Sequence, residues 1–228
     1  MFELKHETLP NGDKEWRMNG KLHREDGPAL TRKNGDQLWY RDGVIYREDG
    51  PAEILADGSK FWYQNGKLHR EGGPAAIWTN GNKFWYHHGQ LHREDGPAEI
   101  LADGSKFWYQ NGQLHRDDGP AAIWTFGDQG WFRNGQLHHE DGPAIVWVDG
   151  SQLWYHDNKR HRDDGPAIIR ADGRKEWWIS GKLHRDDGPA IIKPDGTEEY
   201  WEYGRRIIKN DQEQPPREGK YEAVIYII

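Results

Sequence analysis

The tripeptide Gly-Pro-Ala occurs eight times, with its glycine at Gly27, Gly50, Gly73, Gly96, Gly119, Gly142, Gly165 and Gly188, a constant step of 23 residues without insertion or deletion. A fixed period of this length means one supersecondary unit copied along the chain, with each copy burying its apolar surface on its neighbours. The period also constrains chemistry. The string before the tripeptide, for example His92-Arg93-Glu94-Asp95, packs an imidazole, a guanidinium and two carboxylates together. A reaction centre needs such a set once, whereas a structural module needs it in every copy. These strings therefore read as turns and ladders.

One unit, residues 96–118, reads GPAEILADGSKFWYQNGQLHRDD. Gly or Pro recurs too often for a helix of ordinary length, about 11–12 residues, so short strands are predicted between the breaks. Asp103-Gly104 and Asn111-Gly112 each fit a two-residue type I′ hairpin turn, in which both central residues take positive φ. A two-residue first turn predicts that Leu101 pairs with Lys106, Ile100 with Phe107, Glu99 with Trp108 and Ala98 with Tyr109. Across the second turn Tyr109 meets Leu114 and Trp108 meets His115. Opposed residues share a face, which puts Leu101 on the face that carries Trp108. The third turn, Asp-Gly-Pro-Ala, reverses the chain because Pro fixes φ and excludes the α conformation before it. Whether QLHR forms a full strand or only a connection stays open.

The fold class expected is thus all-β: an elongated single-sheet array of antiparallel hairpins with a 23-residue period. It occupies residues 1–208, about eight full units with partial units at the ends. Residues 209–220, KNDQEQPPREGK, read as a linker, and 221–228, YEAVIYII, as a β-prone strand that caps the sheet or pairs with a second copy to make a homodimer. Units 50–72 and 96–118 are nearly identical, and 73–95 resembles 119–141, which points to duplication of a 46-residue pair.

Composition decides between classes. Hydrophobic residues are only 34% of the chain and charged residues 30%, yet 13 Trp and 10 Tyr oppose disorder. A net charge of -7 leaves no global basic field for nucleic acid. No cysteine is present, so disulfides and thiolate metal sites are excluded. No apolar signal core opens the sequence, and no apolar run approaches the ~18 residues of a membrane span. The expected location is the cytoplasm, that of the host if the source is viral, and no membrane partner is expected.

Two columns stand out. Trp16, Trp39, Trp62, Trp85, Trp108, Trp131, Trp154 and Trp177 recur at one position. They read either as a packing ladder covered by Arg and Lys stems or as a stacking platform for ligands. The position of Leu101 is Arg32, Leu55, Trp78, Leu101, Trp124, Trp147, Arg170 and Lys193 in turn. Its five central apolar members make a patch of the kind that marks interfaces.

The glycine-punctuated hairpin with its Trp108-Tyr109-Gln110-Asn111-Gly112 core resembles a MORN-type repeat. The wording NGKLHREDGPA, at residues 19–29, resembles the MORN-variant repeat proteins of bacteriophages, large DNA viruses and bacteria, among them YwqK-type antitoxins. The resemblance covers roughly residues 11–204. It implies a β-repeat fold and a protein partner such as a toxin or host defence protein.

The function expected is a non-enzymatic repeat protein that inhibits or scaffolds a partner through Leu55, Trp78, Leu101, Trp124 and Trp147. The alternative is a carbohydrate-binding module that uses the Trp/Tyr ladder for stacking. No catalytic residues and no cofactor are expected. No metal site is expected either: imidazoles of successive units should lie ~10 Å or more apart at a strand spacing of ~4.8 Å, too far for one ion. His87 and His88, as neighbours on a strand, should point to opposite faces.

Overall fold

The computed structural model describes residues 3–208, in which every regular element is a β-strand. The linker and terminal strand read at 209–220 and 221–228 lie outside the described residues. Within the array the repeat of residues 96–118 has four two-residue strands: Glu99–Ile100, Lys106–Phe107, Tyr109–Gln110 and Gln113–Leu114. The first two belong to a continuous antiparallel sheet of 20 strands, and the last two form one of seven separate two-stranded hairpins along it.

Each hairpin of the long sheet pairs with the next, so Lys106 lies opposite Ile100 in its own repeat and opposite Ile123 in the following one. The second row is also bonded from repeat to repeat, because Gly112 N–H donates to Leu91 C=O at 2.8 Å. Strands this short have almost no ladder of their own. Contact between neighbours carries the fold, as expected for a one-dimensional array.

The second turn is as read. Asn111 and Gly112 have φ of 49° and 78°, Tyr109 pairs with Leu114, and Gln113–Leu114 is a genuine strand. The first turn is not. Gly104 N–H donates to Leu101 C=O and Leu101 N–H to Ser105 C=O, both at 3.0 Å, and only Gly104 of the loop takes positive φ, at 92°. This is a three-residue loop, a type I turn closed by one left-handed residue. The extra residue moves the register by one, so Glu99 pairs with Phe107 and Ile100 with Lys106. The predicted pairs Leu101–Lys106, Ile100–Phe107, Glu99–Trp108 and Ala98–Tyr109 are therefore corrected, and Phe107 shares its face with Glu99 rather than Ile100.

The string that precedes Gly-Pro-Ala now has a role for each residue. The Arg116 guanidinium lies 4.3 Å over the Trp108 ring and Nε donates to Asp118 at 2.8 Å. A Cβ at Gly119 would stand 3.2 Å from Arg116 Cζ, so the glycine lets the guanidinium lie close between the chain and the indole. The next alanine, Ala121, is wholly buried and its carbonyl accepts the Trp108 N–H at 2.8 Å. Equivalent alanines from Ala29 to Ala190 make up most of the core. Each contributes about 0.8 kcal/mol of burial, so no single repeat can hold itself folded.

Candidate functional site

The corrected register places the Leu101 column beside the Phe107 column. Trp78 packs edge-on against Phe61 of the preceding repeat at 5.1 Å and 86°, and Trp124 against Phe107 at 5.9 Å and 82°. Behind Trp124 the column has a glycine, Gly130. A Cβ there would lie 2.8 Å from the Phe132 ring and 3.1 Å from the Trp124 ring, so the two aromatics fill the missing side chain's space.

On this same face two carboxylates are set among tyrosines. Tyr63 donates its hydroxyl to Glu53 at 2.8 Å. Burial, then its bond to Glu53, pushes the Tyr63 phenol well up. Tyr109 is pushed up to about 12 by burial and then by the charge of Glu99, whose own carboxyl burial raises. Both phenols therefore stay protonated donors at neutral pH. The apolar strip ends in cations: Arg32 pairs with Asp36 at 3.2 Å, and Lys193 with Glu199 at 2.7 Å.

The five strip residues are not equally open. Trp78 is 39% exposed and Trp147 37%, whereas Leu55, Leu101 and Trp124 are half-buried against their neighbours. Beside the strip, Phe126 at 80% and Val148 at 71% are more open still and lie outside the predicted set. They occupy consecutive hairpin tips, and Val148 N–H bonds Asp128 of the tip that carries Phe126 at 2.7 Å. A signal for Phe126 exists in the sequence: its column otherwise reads Asn11, Asn34, Asp57, Asn80, Asp103, Asp149, Asp172 and Asp195. Trp124, Phe126, Trp147 and Val148 thus form the apolar end of the strip.

The main Trp column is closed. Guanidinium groups stand 3.9–4.3 Å over Trp16, Trp39, Trp62, Trp85, Trp108, Trp154 and Trp177. His139 lies parallel on Trp131 at 5.0 Å and 8°.

The imidazoles of the repeat string form a second ladder. Nδ1 of His92 accepts the N–H of Asn111, and Nδ1 of His115 that of Asn134, both at 3.2 Å, so each links its repeat to the turn of the next. The spacing argument against convergent imidazoles is corrected here. Because the turn of one repeat folds over the preceding one, His69 meets His87 and His88 with ring centroids 4.9 and 4.7 Å away. The expectation that His87 and His88 diverge fails for a backbone reason: His88 occupies the positive-φ turn position, at 50°, and its ring lies 4.2 Å from that of His87. His69, His87 and His88 form one candidate ligand set, and His138, His156 and Asp157 another.

No family model matches this chain, and no curated protein matches it. No helix of the described residues is long and apolar enough to cross a membrane.

Proposed function

We propose that the chain is a non-enzymatic repeat protein that binds a partner protein through its aromatic strip and inhibits or scaffolds it, in the manner of an antitoxin or a phage inhibitor of host defence. The observation that carries this reading is the open part of the strip, Trp78 and then, at its apolar end, Phe126, Trp147 and Val148, on a chain of mean hydropathy -1.10. Exposed apolar patches of this kind mark interfaces, and Trp supplies a large share of hot spots. The half-buried Glu53 and Glu99 with their tyrosine donors add hydrogen-bonding groups beside the strip. The guanidinium over seven Trp of the main column, and His139 over Trp131, leave the carbohydrate reading fewer open rings to stack on.

The test compares wild type with Phe126→Asp and Trp147→Glu, both at open positions, in capture from the source cell followed by affinity measurement on the purified partner. A loss of affinity of tenfold or more in either folded variant is expected. Unchanged affinity in both, or retention on an extended glycan that both variants preserve, would sink the protein-interface reading.

A further inference from the structure

We infer that the array carries two sites for a divalent transition-metal ion of the zinc class, one at His69, His87 and His88 and the other at His138, His156 and Asp157. The sites are copies of one arrangement, 69 residues or three periods apart. In each, the ladder histidine of one repeat faces the last strand residue and first turn residue of the next. One ligand atom from each member lies within 4.8 Å of the others.

Two columns make these places different from the other junctions. The residue before the turn is Arg41, Gln64, His87, Gln110, Arg133, His156 and Ile179 in successive repeats. Only at 87 and 156 does it offer a nitrogen ligand. The following residue adds His88 in one case and Asp157 in the other, where the most frequent choice is Asn65, Asn111 and Asn134. His and Asp, like Asn, tolerate the positive φ of this position, 50° at His88 and 47° at Asp157.

A second observation concerns hydrogen bonding. Nε2 of His115, His161 and His184 lies 3.2–3.3 Å from Asp117, Asp163 and Asp186. Among the described residues, the buried side-chain nitrogens with no partner are Nε2 of His69 and of His138, the ladder members of the two sites. Neither atom has a carboxylate within hydrogen-bond distance, the nearest to His138 Nε2 being Glu140 at 3.7 Å. At His138, as at His23 beside Asp42, the demands on Nδ1 also conflict. Asp157 Oδ1 stands 3.0 Å away and needs a positive centre between, while the Asp157 N–H points at the same atom from 3.3 Å and needs a lone pair. His156 Nδ1 lies 3.3 Å from the other carboxylate oxygen.

Separations of 3.0 and 3.3 Å are close to the edge of a tetrahedron around zinc, about 3.3 Å for bonds of 2.0–2.1 Å. An ion held by His138, His156 and the carboxylate supplies the positive centre that Asp157 needs, and where it takes His138 Nδ1 it displaces the Asp157 N–H from that lone pair. Glu140 stands 3.7 Å from His138 Nε2, beyond hydrogen-bond distance, and leaves that nitrogen without a partner. Imidazole ligands select zinc, nickel or copper over calcium and magnesium, which want oxygen. His156 and Asp157 line a cleft of about 680 Å³, which gives the ion a path in. Each site joins two consecutive repeats, so a bound ion clamps the junction.

The experiment uses the full chain without a histidine tag. Zinc is titrated calorimetrically, cobalt is followed through its tetrahedral visible bands, and melting is recorded with and without zinc. His87→Gln and His156→Gln install the residue that Gln64 and Gln110 show the fold accepts. Two equivalents are expected for wild type, one for each single variant and none for the double variant, with a zinc-induced rise in melting midpoint that the double variant lacks. Wild-type protein that binds no zinc, or a double variant that still binds two equivalents, would overturn the assignment. Loss of the only equivalent with one variant would overturn the other site.

Discussion

At the residue scale the array rests on polar side chains that each perform one local task in every copy. The arginine of the string is the clearest case, since it covers an indole and binds an aspartate two residues on. Asp26, Asp95, Asp118, Asp164 and Asp187 are all held below the ordinary carboxylate value, first by the hydrogen bond from that arginine and then by its charge. A carboxyl whose folded pKa lies below its unfolded value of 3.8 binds its proton less readily when folded. Each pair therefore contributes stability that is complete above about pH 4 and is lost as pH falls below it toward the folded pKa. These carboxylates are open to solvent, so each effect is small and screened by salt. Five in register make it measurable: melting midpoints followed from pH 7 to pH 3 are expected to fall below pH 4. Replacing all five with Asn is expected to lower the neutral-pH midpoint and flatten that fall. An equally steep fall in the Asn variant would show that other groups govern it.

At the element scale the two hairpin turns show what could be read in the sequence and what could not. The Asn-Gly turn was legible because both of its residues need positive φ and both are of the types that tolerate it. The Asp-Gly turn was misread because a three-residue loop also ends on a left-handed glycine. The discriminating residue was present: a type I′ turn would force positive φ on Phe126, costly for a bulky side chain. The true geometry turns the loop into a connector. Ser105 Oγ accepts the Thr125 N–H of the next loop at 3.0 Å, while Asp36, Ser59, Asn82, Asp128 and Ser151 serve the loops that follow them. Where the chain carries Arg174 in place of an acceptor, the matching donor position is Pro194, which has no N–H to leave unsatisfied. Ser105→Ala leaves the Thr125 N–H without this partner beside a buried position. It is expected to cost about 1–2 kcal/mol in urea unfolding with the m-value unchanged. A change below a few tenths would mean that water serves the donor equally well. The histidine sets were hidden for a related reason: residues such as His69 and His88 meet only because one repeat's turn lies over its predecessor, which strand spacing alone does not reveal.

At the scale of the whole molecule, every contact described joins a repeat to itself or to the next. Lys106 pairs within its repeat and with the following one, Gly112 bonds the preceding one, and the Trp108 N–H crosses a single junction. Stability then scales with the number of junctions rather than with a closed core, and a cut of whole periods should heal. Deleting residues 73–118 removes 46 residues, two periods, and joins Gly72 to Gly119 in register. This shortened chain is expected to keep its β spectrum and a cooperative transition at a lower midpoint, because two junctions are lost and none is mismatched. A deletion of 10 residues from the same place, 73–82, puts Trp85 where the wholly buried Ala75 belongs, and is expected to abolish the transition. The in-register deletion also separates folding from recognition. It removes Trp78 and Leu101 but leaves Phe126, Trp147 and Val148, so the partner should bind the shortened array more weakly yet still detectably. If the shortened chain folds and its affinity is undiminished, recognition lies wholly at the end of the strip around Phe126.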